Sequence, residues 1–211
     1  MRPLCGKPLI VWTVEAALAS GVVDALVVST DAEDIAEPAR KAGADVPFLR
    51  PAELATDEAT SLAVGLHALD WLQDHRRWHP EWLWLLQPTS PLRTAEHLRE
   101  AWRLAETAAA DSVLGVVRPK HHPAWCLVES PDGALAPLLV AHSPGRRQDL
   151  TTVWAPNGAI YLTRVEALRR EGRFTAGRCV PLPMTPEESL DIDTSLDFAV
   201  CEALLARRPG P

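Results

Sequence analysis

LQPTSPLR, residues 86–93, follows directly on the apolar stretch Trp82-Leu-Trp-Leu85 and decides how the chain is read. A short continuous apolar run bounded by turn residues has the pattern of a buried strand. The polar atoms that follow therefore stand beyond a strand's carboxyl end, where open α/β sheets bind ligands. Gln87 brings two donors and an acceptor, enough to read a base edge or a sugar hydroxyl. Pro88 and Pro91 stiffen the loop and lower the entropy cost of holding Thr89, Ser90 and Arg93 in place. On residue types alone, the segment reads first as a Pro-rich strand cap in which Thr89 and Ser90 serve the backbone.

Outward from this loop, strand-like runs alternate with helix-period segments. The pattern predicts helices over residues 8–19, 31–42, 61–74 and 95–109, with strands over 25–29, 46–49, 82–86 and 112–117. Gly21 and Gly43 are placed to end the first two helices. Such alternation predicts a mostly parallel sheet with helices on both faces. After Pro119 the rhythm changes. Residues 125–129 and 134–140 read as a β-hairpin around Ser130-Pro-Asp-Gly133, and 142–152 as a polar loop. A strand over 159–163, a helix over 165–170 and a last helix over 194–206 follow, with residues 207–211 a frayed tail. One domain spanning residues 1–211 is expected, with residues of about 120–150 forming an inserted hairpin arm.

Bulk properties exclude several function classes. The chain has 211 residues and a net charge of −7, which argues against a phosphate-tracking nucleic-acid surface. No run approaches the roughly 20 apolar residues of a membrane span, and the N-terminus lacks the order of an export signal. The four cysteines are far apart and form no Cys-x-x-Cys pair, so neither a zinc site nor a disulfide framework is expected. A reduced, cytoplasmic protein is the expectation. His121, His122 and His142 lack metal-ligand spacing and read as surface residues.

A second acidic segment, DIDTSLD, residues 191–197, carries chemistry of its own. Asp191 and Asp193 flank Ile192, so an extended backbone turns both carboxylates to one face and Ile192 to the other. Two hard oxygen donors at that spacing suit Mg²⁺, which completes its shell with phosphate oxygens and waters. The plainer reading makes one Asp a helix cap, but Thr194 can cap the last helix and leave both free. Arg50 offers a planar fork of donors suited to planar acceptors. Its plain alternative is a surface pair with Glu53.

These segments together resemble the cytidylyltransferases for N-acylneuraminate and related nonulosonic acids. LQPTSPLR matches their pattern almost unaltered. GKPLI (residues 6–10), VVSTD (27–31), FLRPAELATD (48–57), NGAIY (157–161) and DIDTSLD follow the same order. The resemblance covers nearly the whole chain. It implies an α/β, Rossmann-like three-layer nucleotidyltransferase fold with a small β-hairpin dimerisation arm and a homodimer. It implies CTP and an acidic nine-carbon sugar as substrates, with Mg²⁺ as cofactor. Arg50, Ser61 and Gln87 are implied on the nucleotide side. Gln87, Asn157, Arg147 and Lys120 are implied on the sugar side, and Asp191 and Asp193 as metal-holding catalytic residues. The cytidylyltransferase for 3-deoxy-octulosonate and other sugar nucleotidyltransferases share the fold, but they usually carry an acidic motif where Gln87 and Pro88 stand. In one respect the pattern departs: the family opens with a strand and a Gly-rich basic loop ahead of the part matched by residues 1–6. The expectation is therefore either a polypeptide that is longer at its N-terminus or an inactive or partner-completed module, with weak or no turnover by these 211 residues alone.

Overall fold

A computed structural model describes residues 3–139, 146 and 150–208. Among the described residues, six α-helices surround the strands: α1 Leu9–Ser20, α2 Glu33–Lys41, α3 Ser61–Arg76, α4 Ala95–Thr107, α5 Val165–Glu171 and α6 Ser195–Ala206. The sheet is built from β1 Trp82–Leu85, β2 Ser112–Val117, β5 Ala155–Arg164 and β6 Cys179–Pro183, in the order β1-β5-β2-β6. β3 Leu127–Glu129 and β4 Leu135–Pro137 pair separately as the expected hairpin.

The α/β architecture stands, but the sheet is mixed rather than mostly parallel. β5 runs against both β1 and β2, and among the described residues only β2 and β6 form a parallel ladder. Residues 25–29 and 46–49, expected as strands, make only two isolated parallel bridges, Val27 with Asp45 and Thr30 with Leu49. β6 was not foreseen because Pro181 and Pro183 argue against a strand. Its position explains them. Met184 N–H donates to the Val116 carbonyl at 2.8 Å, so the even-numbered residues face β2. The two prolines then turn their missing donors to the open edge, the place where strands tolerate proline.

The principal core lies among α4, β2, β5 and β6, where Val113, Ile160, Leu162 and Leu98 are fully buried. Each such side chain contributes about 1.5–3 kcal/mol. A second cluster seats α1 and α2 on Val28 and Val46, and a third packs α6 against Leu4 and Leu92. Helix ends follow local chemistry. Gly21 takes a left-handed cap after α1 at φ 68°, while Thr94 and Thr194 both form capping boxes at the starts of α4 and α6. Thr194 thus caps α6 and leaves Asp191 and Asp193 out of that role.

Candidate active site

The octapeptide folds as two successive turns. Ser90 N–H bonds to the Gln87 carbonyl at 3.3 Å and Arg93 N–H to the Ser90 carbonyl at 3.4 Å. Pro88 and Pro91 each hold the second position of their turn, where the fixed proline φ is already correct. Arg93 does not reach toward a ligand. It is 2% exposed and donates to the Ala159 carbonyl at 2.6 Å, the Thr13 hydroxyl at 2.6 Å and the Gln87 carbonyl at 3.3 Å. Burial draws its guanidinium down to about 9, still charged at neutral pH. It clamps the loop to β5 and to α1.

β5 meets this loop through a bulge. Pairing with β2 shifts register between Leu114 and Val116, and the extra residues include Asn157 and Gly158. Gly158 has φ +76°, and a Cβ there would lie 2.4 Å from Gln87 Oε1, 3.2 Å from Ser90 Oγ and 3.6 Å from an Asp191 carboxylate oxygen. The bare backbone at Gly158 is what lets these three polar groups converge. Ser90 Oγ donates to Asp191 Oδ1 at 3.3 Å, and Ile192 N–H donates to the Thr89 carbonyl at 2.9 Å. Ile192 packs into the third apolar cluster, and in an extended segment alternation would turn Asp191 and Asp193 to the other side. Burial first, and the nearby Asp191 second, push the Tyr161 phenol upward, which places that ring within the field of the carboxylate.

Asp191 and Asp193 suit a hard cation that draws its remaining donors from elsewhere. Among the described residues no group of three His, Cys, Asp or Glu could hold a metal. A carboxylate pair alone fits Mg²⁺, which binds through one or two carboxylates plus phosphate and water oxygens.

The nucleotide-side residues meet at a different feature. Arg50, Ser61 and Gln87 all line one cavity of about 350 Å³ beside β1. Arg50 pairs with Asp31 at 3.2 Å rather than with Glu53, and its Nε is buried without a partner. Backbone bonding at Asp31 first, and that guanidinium second, hold the Asp31 carboxyl below its ordinary range. Ser61 is exposed at the first position of α3. Gln87 joins the two features, since it lines the cavity and also touches the Gly158 junction.

The remaining sugar-side candidates stand apart. The Asn157 amide is spent inside the protein, donating to Ser189 Oγ at 2.9 Å and to Met184 Sδ at 3.1 Å while Oδ1 accepts from Ala159 N–H. Lys120 is exposed beyond the end of β2, and Arg147 lies outside the described residues. Ser90 and Tyr161 were not named as site residues from the sequence, while Gly158 was read there as admitting close approach of a ligand. Their signal was the Asn-Gly pair inside a strand-like run, which marks a bulge as well as a turn.

Residues 1–113 match the model of the cytidylyltransferase family. The chain belongs to that family. The N-acylneuraminate cytidylyltransferase of Streptococcus agalactiae serotype V is 37% identical over 197 residues, covering 92% of this chain. The chain spans only 46% of that relative's length. The CMP-N,N'-diacetyllegionaminic acid synthase of Legionella pneumophila is 35% identical over 211 residues, covering 97% of this chain and 88% of the relative. Among solved structures, a CMP:2-keto-3-deoxy-manno-octonic acid synthetase complexed with CTP superimposes with TM-score 0.65 at 15% identity, covering 98% of this chain and 90% of that one. At that identity the likeness shows the cytidylyltransferase fold alone.

Proposed function

We propose that this cytidylyltransferase couples CTP to an N-acylneuraminate-type nonulosonic acid, giving the CMP-sugar and pyrophosphate. The observation that carries the reading is the convergence of Gln87, Ser90 and Asp191 on Gly158, next to the cavity that Arg50 and Ser61 share with Gln87. The relatives named for such sugars support the same substrate class.

In this reading the anomeric hydroxyl of the sugar acid forms a bond to the α-phosphorus of CTP. The bond from that phosphorus to the bridging oxygen breaks, pyrophosphate leaves and the hydroxyl proton passes to solvent. Transfers of this kind depend on in-line placement and charge neutralisation more than on covalent chemistry. Arg50 and Ser61 hold the cytosine side, Gln87 bridges base and sugar, and Lys120 and Arg147 attend the sugar carboxylate. Asn157 acts through its place in the bulge. Asp191 and Asp193 would hold Mg²⁺, which supplies charge neutralisation at the phosphate and eases loss of the hydroxyl proton. A homodimer joined through the hairpin is part of the proposal. Leu127 and Leu135 there are 56% and 66% exposed, a loss of apolar burial that a partner would recover. No described helix is long and apolar enough to cross a membrane, and a cytoplasmic setting is proposed.

Incubation with CTP, Mg²⁺ and a panel of sialic, legionaminic, pseudaminic and 3-deoxy-octulosonic acids, read by mass spectrometry, tests this. A CMP-nonulosonate product is expected. Turnover of only the octulosonate, or no binding of CTP at all, would sink the reading. A second reading, a partner-completed module, is favoured by the open cavity at Arg50. CTP binding without turnover is its signature.

A further inference from the structure

Asp191 is carried by residues 185–190, a single turn between β6 and the acidic segment. Thr185-Pro-Glu-Glu188 has the spacing of a helix start: a capping Thr, a proline at the first position and a Glu at the third. The box closes. Thr185 N–H and its hydroxyl donate to Glu188 Oε2 at 3.0 and 2.9 Å, and Glu188 N–H donates to the Thr185 hydroxyl oxygen at 3.2 Å. Ser189 N–H then reaches back to the Thr185 carbonyl at 3.0 Å, but the turn is not continued, since α6 begins only at Ser195. One isolated turn is costly to form, so its place must be held from outside. Two side chains do this. Glu188 Oε1 lies 3.3 Å from His97 Nε2 in the first turn of α4. Thr94 N–H donates to Nδ1 of that ring at 3.2 Å, which leaves the ring proton on Nε2, facing Glu188. Ser189 Oγ accepts from Asn157 Nδ2 at 2.9 Å in the β5 bulge. The Asn157 amide is fixed in that direction. Its Oδ1 accepts from Ala159 N–H at 3.1 Å, and a Cβ at Gly115 would stand 2.6 Å from the same oxygen.

We propose that Glu188 and Ser189 are positioning residues for the transfer reaction, a two-point bracket that holds Asp191 at the Gly158 junction. The inference rests on the function proposed above. Its anchors fall on the two elements that Asp191 has to meet. His97 and Thr94 open α4 directly after Arg93, the last residue of the octapeptide, and Asn157 adjoins Gly158. Beyond the bracket, Ile192 N–H donates to the Thr89 carbonyl at 2.9 Å and Ser90 Oγ donates to Asp191 Oδ1 at 3.3 Å. Those two bonds can form only if residues 185–190 deliver the chain at the right place. Glu188 suits the task because a carboxylate only accepts, and the groups facing it are donors: the Thr185 N–H and hydroxyl on one oxygen, the His97 ring N–H on the other. A glutamine offers one accepting oxygen, and its NH₂ would face a donor at one end or the other. Glu188→Gln therefore releases one contact at nearly constant shape, and Ser189→Ala releases the other anchor. Neither residue lines the cavity shared by Arg50 and Ser61, so the nucleotide side is left intact.

Hydrogen exchange on the 211-residue protein, read by NMR, tests this together with steady-state kinetics. In each variant the Ile192 and Ser189 amides should exchange about tenfold faster, the scale of one lost hydrogen bond. Val113, fully buried in the main core, should change less. The kcat for CMP-sugar formation should fall about tenfold with KM for CTP unchanged, the pattern of an interaction that matters in the transition state. A merely structural role would not give that split, because the folded fraction keeps its kcat. Ser189→Ala is the smaller change and carries the test if Glu188→Gln fails to fold. Unchanged exchange at Ile192 would overturn the bracket. Equal acceleration at Ile192 and Val113 would reduce it to general stability and overturn it too, as would a faster Ile192 beside a wild-type kcat. A wild type that forms no CMP-sugar sinks the proposed function instead, and exchange at Ile192 relative to Val113 then decides the bracket by itself.

Discussion

The two sides of Gln87 are built to different standards. Toward β5, the loop is tied by several bonds: Arg93 is bonded to Ala159, Thr13 and Gln87, Ser90 to Asp191, and Thr89 to Ile192. Toward residues 25–50, the chain has isolated bridges and a wide cavity. The first side is preorganised, so little entropy is lost when a ligand arrives. The second is held by fewer bonds. A transfer reaction needs both reactants held in line, so the open side sets what the whole site can do.

The comparison is broken most severely at Asp193. Its replacement by Ala removes half of the carboxylate pair without touching the bonds that fix the loop. CMP-sugar formation should fall about 100- to 1,000-fold, the scale of losing one preorganised charge-stabilising group. Thermal stability should hardly change, because Thr194 and Asp197, not Asp193, cap α6. Undiminished turnover would remove the metal assignment.

Gly158→Ala attacks the junction itself. A methyl group at φ +76° costs about 1–2 kcal/mol in backbone strain. It would also displace the Gln87 amide, the flexible end of a side chain 2.4 Å away. Turnover should drop on the order of tenfold to 100-fold through misplacement. A variant with wild-type kinetics would show that Gln87 need not sit where the bulge puts it.

Arg93→Met tests whether the fixed side is held by the buried cation. The substitution keeps an unbranched apolar stem but leaves the Ala159 carbonyl and the Thr13 hydroxyl without their donor. Stability should fall by about 1–3 kcal/mol, read as a drop in Tm of several degrees. An unchanged Tm would mean that the turns alone hold the loop.

How legible each side was in the sequence follows from the same contrast. The helices, β1 and β2 announced themselves by period and caps, since their side chains answer to local burial. Thr194 as a cap was readable from spacing alone. Arg93 was not, because nothing local says whether an Arg at a loop's end turns inward to carbonyls or outward to a ligand. Asn157 looked like a ligand contact, but its partners Met184 and Ser189 lie far along the chain. β6 hid behind prolines whose harmlessness depends on which edge faces water. Residues 25–29 had the composition of a central strand and make one isolated bridge there, with Asp45. Composition fixes what a segment would pair with comfortably, while pairing needs a neighbour in place.

The smallest expected effect is on pH, and it probes the link between the fixed loop and the acidic segment. His97 is the third residue of α4. Its Nδ1 accepts from Thr94 N–H at 3.2 Å, and its Nε2 lies 3.3 Å from a Glu188 carboxylate oxygen. Burial lowers its pKa, and the Glu188 charge only partly opposes that shift. The native state thus prefers the neutral ring, whose Nδ1 lone pair the capping box needs. In the unfolded chain the imidazole titrates near 6.5. As pH falls through that value, the unfolded state takes up a proton that the native state resists, and stability declines. Above it this contribution is fully present. His97→Gln keeps the capping box, since Gln serves well at that position, but it cannot titrate. Denaturant unfolding at pH 7.5 and at pH 5.5 should therefore show a fall in stability for the wild type that is smaller in the variant. Identical pH dependence in the two proteins would show that the ring gains as much from Glu188 as it loses to burial, and that the start of α4 does not sense protons.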